Sequence, residues 1–129
     1  AASDVYKRQA WTWATGPGST DFDAALSQSL TDGGMLVRSV VSSAFGENNQ
    51  CNGSFHAMAL DVIVELEVAD ASHEERFTDL NTTVIDQVKD ALPISGIPNL
   101  GRVEVRFIAP EATWRCVTAS GSTECSAAP

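Results

Sequence analysis

Between Leu60 and Val68 the apolar side chains Leu60, Val62, Val64, Leu66 and Val68 alternate with the carboxylates Asp61, Glu65 and Glu67. A period of two predicts a strand with one buried face, and a slip of one residue would drive the carboxylates into the core. "RVEVRFI" repeats the pattern, with Val103, Val105 and Phe107 directed inward and Arg102, Glu104 and Arg106 outward. Upstream, "MLVRSVVSSAF" (35–45) is rich in β-branched residues and reads as an earlier strand, with Met35, Val37, Val41 and Phe45 on one side. A fourth strand, "TWRCVT", is expected to pair with its predecessor through "APEA" (109–112) or with the tail beyond it. The polar stretch Gly46 to Ser54 reads as a loop.

Two segments follow the helical period instead. Thr20 is placed to cap a first helix, with Asp23 three residues on and Asp21 beside it at the positive end of the dipole. Phe22, Ala25, Leu26, Ser29 and Leu30 share its face, and "DGG" (32–34) supplies a left-handed stop. In the second, Ser72 and Glu75 match a capping box, and Phe77, Leu80, Val84, Val88 and Ala91 recur at helical spacing, flanked by Ile85 and Leu92. Pro93 is expected to end that helix at Leu92. The order α-β-β-α-β-β predicts one α+β domain over residues 20–118, with a four-stranded, mainly antiparallel sheet and both helices on one face. Residues 10–19 then form a linker or extended lead-in, and residues 119–129 a hairpin return and a Ser/Ala/Pro tail. The pattern leaves strand order open.

Composition narrows the partners. The chain has 129 residues, 43% of them hydrophobic and 19% charged, which suits a single folded core. Eight basic against 17 acidic residues give a formal charge of −9, and the arginines are scattered. A phosphate backbone or an anionic bilayer needs a basic patch, so nucleic acid is not an expected partner. No apolar run approaches the roughly 20 residues needed to span a bilayer.

The opening is anomalous. Residues 4–9, "DVYKRQ", can be back-translated as GAT GTG TAT AAG AGA CAG, which resembles the mosaic end of a sequencing transposon. Residues 1–9 are therefore read as a sequencing artefact on a metagenomic fragment and set aside from the fold.

The succession "AFGENNQC", "DVIVELEV", a helix ending "DALP" and then "GRVEVRF" resembles small domains of secreted or envelope-anchored bacterial proteins of uncharacterised function. The resemblance extends over Ser19 to Thr118. It implies an α+β fold and an extracytoplasmic setting, and it transfers no catalytic residue.

Candidate chemistry is sparse. Glu65 and Glu67 face the same way about 6.7 Å apart at strand rise, close to the carboxyl separation of inverting glycosidases. Alternating carboxylates are equally what a solvated strand face carries, and Arg102 and Arg106 across the sheet are suited to pair with them, with Asp61 on the same exposed charged face and Arg38 and Arg115 extending it if their strands are neighbours. Cys51 and His56 stand at C-x4-H spacing, but structural zinc needs four ligands and catalytic zinc three, so no metal site or cofactor is expected. Neither does the pair have the orienting third group of a nucleophile–base set. His73 lies among glutamates in the first turn of the second helix and reads as a surface residue. Trp11 and Trp13 project to one side of an extended "AWTW"; burial against the core is the favoured reading, and stacking on a sugar ring is the alternative if they are exposed. Asn52 and Asn81 match the glycosylation acceptor pattern by chance.

The cysteines carry the sharpest expectation. A two-residue turn at Ser120 and Gly121 sets Cys116 opposite Cys125 at a non-hydrogen-bonded pair, close enough for a disulfide. The alternative is a Cys51–Cys125 bond with Cys116 reduced in the core. Either bond implies an oxidising compartment and leaves one cysteine over. Together these features point to a non-catalytic module of an exported protein, serving a protein partner or spacing a neighbouring domain; a small glycan-acting hydrolase using Glu65 and Glu67 is the alternative. If residues 1–9 are foreign, deleting them should leave the thermal midpoint within about one degree, as for other surface changes. A drop of ten degrees in a calorimetric melt would make them integral.

Overall fold

The computed structural model describes residues 11–72 and 74–128. In chain order the elements are β1 (Trp11–Pro17), α1 (Thr20–Asp32), β2 (Leu36–Asn49), β3 (Phe55–Glu67), α2 (Glu74–Ser95), β4 (Asn99–Ile108), β5 (Thr113–Ala119) and β6 (Ser122–Ala128). The expected four-stranded α-β-β-α-β-β arrangement is overturned: the strands form one six-stranded mixed sheet in the order β1-β2-β3-β4-β5-β6. Among the described strands only β3 and β4 run parallel, joined by α2 as the crossover that a parallel pair requires. The expectations for residues 1–9 and for His73 lie outside the described residues.

The two additional strands come from segments with weak strand signals. β1 contains Gly16 and ends at Pro17, residues depleted from strands, yet all seven of its residues pair with the far half of β2. β6 grows from the tail, directed by its hairpin with β5. The supposed loop after Phe45 is likewise strand as far as Asn49, because Gly46, Glu47 and Asn48 pair on both sides, with β1 and with β3.

β3 carries the predicted face. Leu60, Val62, Val64 and Leu66 are buried, beside Val103, Val105 and Phe107 of β4. Phe22, Leu26 and Leu30 of α1 and Phe77, Val84 and Val88 of α2 close over them, so both helices belong to one core on one side of the sheet. Phe77 stacks on Phe107 with ring centroids 4.9 Å apart and on Trp114 at 6.4 Å. The placement of Val41 and Phe45 on one side with Met35 and Val37 is corrected. A register shift between Val37 and Ser39 reverses the alternation of β2, so that Val37, Val40, Ser42 and Ala44 sit opposite the buried positions of β3 while Val41 and Phe45 are exposed.

Helix ends also differ from expectation. Ser19, one residue before Thr20, caps α1: its Oγ accepts the Phe22 N–H at 3.1 Å. Ser42 Oγ in turn accepts the Ser19 N–H at 2.9 Å, and a Cβ on Gly18 would lie 2.2 Å from Ser42 oxygens, so only glycine fits that close approach. α2 begins at Glu74, and the Ser72 hydroxyl donates to Asp70 Oδ1 at 2.6 Å. Pro93 does not end α2. It occupies the last turn, and the helix closes at Ser95, whose hydroxyl donates to the Leu92 carbonyl, before Gly96 turns left-handed at φ 70°.

Cys116 and Cys125 form a disulfide, in the register predicted: 116 faces 125, 117 faces 124, 118 faces 123 and 119 faces 122. Ser120 (φ 53°) and Gly121 (φ 76°) are both left-handed, the turn geometry whose twist matches that of the flanking strands. Cys116 is fully buried in the core and Cys51 is free and exposed. Reduction, or C116S/C125S replacement, should lower stability by roughly 2 to 3 kcal/mol through the freed short loop. Urea unfolding with and without dithiothreitol measures the difference. An unchanged midpoint would show that the β5–β6 register holds without the bond.

Candidate functional site

Among the described residues no element covers the face of the sheet opposite the helices, and it gathers nearly every candidate side chain. Glu104 was read as outward on β4, and it does lie on that side of the strand. It is 3% exposed, because Ile63 and Val117 stand directly across from it on β3 and β5 and the arginines two residues to either side fold over it. Arg102 Nη2 donates to its Oε1 at 3.0 Å and Arg106 Nε to its Oε2 at 2.5 Å. Burial alone would push the Glu104 carboxyl up, but hydrogen bonding and charge from Arg106, then Arg102, outweigh it and hold the group below its ordinary 4.5.

The network extends to Glu65. Arg106 Nη1 lies 3.5 Å from its Oε2, and Ser39 Oγ donates to its Oε1 at 2.8 Å. Hydrogen bonding to Glu104, partly offset by burial, raises Arg106 above its ordinary value. Arg115 of β5 joins the same face directly opposite Arg106, whereas Arg38 stands exposed at the β2 register shift. Asp61 serves the backbone: its Oδ1 accepts the Arg102 N–H at 2.8 Å where the β3–β4 register shifts, and a Cβ on Gly101 would come within 2.2 Å of that oxygen.

Glu67 shares the outward face of Glu65 but not its network. Its strand neighbours are Leu36 and Ile108, and the hollow of about 360 Å³ that it borders, between the ends of both helices, is walled by Leu66, Val68, Leu80 and Phe107 and does not include Glu65. The two carboxylates therefore do not converge on one cavity, and one of them is already occupied by a guanidinium and a hydroxyl.

Cys51 lies in the β2–β3 turn, while His56 is exposed opposite Glu47 on the outer face. Among the described residues no group of three or more His, Cys, Asp or Glu is arranged to hold a metal ion. Asn81, read only as a chance glycosylation match, is buried, its Nδ2 donating to Thr118 Oγ1 at 3.4 Å. Asn52 is exposed and caps its own turn through the Ser54 N–H.

The favoured burial of the tryptophans is overturned. Trp11 is 40% and Trp13 62% exposed, with Phe45 39% exposed beside them. Trp13 and Phe45 stack with centroids 5.1 Å apart and planes 2° from parallel. Glu47 and Asn49 of β2 face Trp13 and Trp11, giving the aromatic patch a polar margin. The signal available in the sequence was the i, i+2 spacing of the tryptophans; which face they take depends on pairing with β2, far along the chain.

No family model, curated protein or solved structure matches this chain. Among the described residues no helix is long and apolar enough to cross a membrane.

Because Glu104 titrates below its unfolded value, the stability it contributes is present above about pH 4.5 and is lost as the pH falls through its depressed folded value. E104Q should remove that acid limb and cost roughly 2 kcal/mol at neutral pH, the solvent-exposed arginines screening part of the loss of a buried pair. Urea midpoints at pH 7 and pH 3 check both. Equal acid sensitivity of E104Q and wild type would mean that other carboxylates govern the limb.

Proposed function

We propose that the domain is a non-catalytic recognition module of an exported bacterial protein, and that it works through the open face of its sheet. The observation that carries this reading is the division of labour on that face. Its carboxylate pair is split: Glu65 is engaged by Arg106 and Ser39 while Glu67 stands apart, so neither the acid nor the base of a hydrolytic pair is free to act in concert. Its aromatic side chains, in contrast, are held on strands and left uncovered, which is the usual disposition of a binding surface. A filled helix-side core gives the strands the rigidity such a surface needs.

Export is supported by the Cys116–Cys125 bond, which is compatible with an oxidising compartment, and by the resemblance to envelope-associated domains. The acidic charge disfavours nucleic acid and anionic lipid as the bound partner.

Incubation with chromogenic glycosides and with soluble polysaccharides should release no product, and the E65Q/E67Q variant should melt close to wild type. Product release by wild type that is abolished in E65Q/E67Q would replace this reading with the hydrolase.

A further inference from the structure

We infer that Asn52 is a site of spontaneous covalent modification: the exposed Asn52–Gly53 step in the β2–β3 connection deamidates through a cyclic imide formed with its own backbone. Asparagine is thermolabile where a main-chain nitrogen can reach its side-chain carbonyl carbon. Asn52 alone of the five asparagines precedes a glycine; Asn48, Asn49, Asn81 and Asn99 precede Asn49, Gln50, Thr82 and Leu100. Their surroundings separate them as well. Asn48 and Asn49 pair within β2, Asn99 within β4, and Asn81 is buried in α2, whereas Asn52 and Gly53 are both exposed outside any regular element. Gly53 is left-handed at φ 70°, and a Cβ there would meet nothing within 4 Å, so neither a side chain nor a neighbour shields its nitrogen.

Two hydrogen bonds set the geometry. Asn52 Oδ1 accepts the Ser54 N–H at 3.0 Å. The ring closed by this bond contains both Asn52 Cγ and the Gly53 nitrogen, so the side chain is folded over the backbone atom that attacks it, and the donated proton draws electron density away from Cγ. The Gly53 N–H donates to the Asn49 carbonyl at 2.8 Å. That bond must open before the amide proton can leave. Residues 50–54 are all exposed, which puts its opening among the least costly in the fold.

Hydroxide removes the Gly53 amide proton, and the nitrogen lone pair forms a bond to Asn52 Cγ. The tetrahedral adduct breaks its bond to Nδ2, which takes up a proton and departs as ammonia, leaving a succinimide. One water then opens the ring. Attack at the former side-chain carbonyl gives an aspartyl residue at position 52; attack at the main-chain carbonyl routes the chain through Cγ and gives an isoaspartyl residue. The sum is one water consumed and one ammonia released, with nothing oxidised or reduced. Either product adds a negative charge beside Cys51. The isoaspartyl form also lengthens the main chain inside the turn that Asn49 closes through its bonds to Gly53 and Ser54.

Incubation of the full chain at pH 7 and pH 8, followed by anion-exchange chromatography and peptide mapping by mass spectrometry, tests the assignment. Position 52 should gain more modification than the other four asparagines together, with isoaspartate among the products. The rate should rise about tenfold between the two pH values, as the deprotonated fraction of an amide does far below its pKa. Gly53→Ala, which crowds the nitrogen, and Asn52→Gln, which lengthens the side chain, should each lose the modification while circular dichroism shows them folded. An unmodified position 52 in the folded chain would overturn the assignment, and modification appearing there only in urea would show that the turn protects it. Modification of Gly53→Ala at the wild-type rate would overturn the cyclic-imide route.

Discussion

Both helices pack on one side of the six-stranded sheet, and that asymmetry governs the rest of the molecule. The apolar rows of β3 and β4 find their cover in α1 and α2, with Phe22, Leu26 and Leu30 from one helix and Phe77, Val84 and Val88 from the other. Among the described residues the opposite face receives no such layer. Its side chains must be compatible with water, paired among themselves, or reserved for another surface, and the sheet shows all three solutions across its width.

At the centre the solution is electrostatic. Placing Glu104 between Ile63 and Val117 removes a carboxylate from water, which is costly unless compensated, and the two flanking arginines supply the compensation within hydrogen-bonding distance. The same Arg106 then reaches Glu65, so one of the two carboxylates that resemble acid–base machinery when read along β3 belongs to a network of ion pairs between β3 and β4, extended to β2 by the Ser39 hydroxyl. Asp61 fills a further structural role by accepting a backbone N–H that the register shift beside Gly101 would otherwise leave unpaired. Chemistry on this face is subordinate to holding the strands together.

Toward β1 the solution changes to exposed aromatic surface. The register shift between Phe45 and Gly46 contributes to it. A Cβ on Gly46 would lie 2.0 Å from the His56 carbonyl, so the strands approach closely there only because the residue is glycine. Beyond the shift His56 comes opposite Glu47, on the side of the sheet that also carries Trp13. At the other end of the sheet, β6 is attached by a tight turn and a disulfide in place of a large apolar interface, as befits a strand composed, apart from Cys125, of Ser, Thr, Glu and Ala.

Local pattern alone determined the elements with strong periodicity: the buried rows of β3 and β4, the apolar faces of both helices, and the Cys116–Cys125 register, which follows from counting outward from a two-residue turn. These are decided within about ten residues, where alternation, capping and turn chemistry act directly. What only the tertiary structure decided are the features that depend on distant partners. β1 exists because β2 offers it an edge, and the β2 bulge reverses the faces of Val41 and Phe45 to suit β3. The burial of Glu104 arises from neighbours on two other strands, and the exposure of Trp11 and Trp13 from a sheet face that no helix reaches. A hydrophobic residue states only that burial is favourable; whether cover exists for it is a property of the assembled layers, and no segment carries that information by itself.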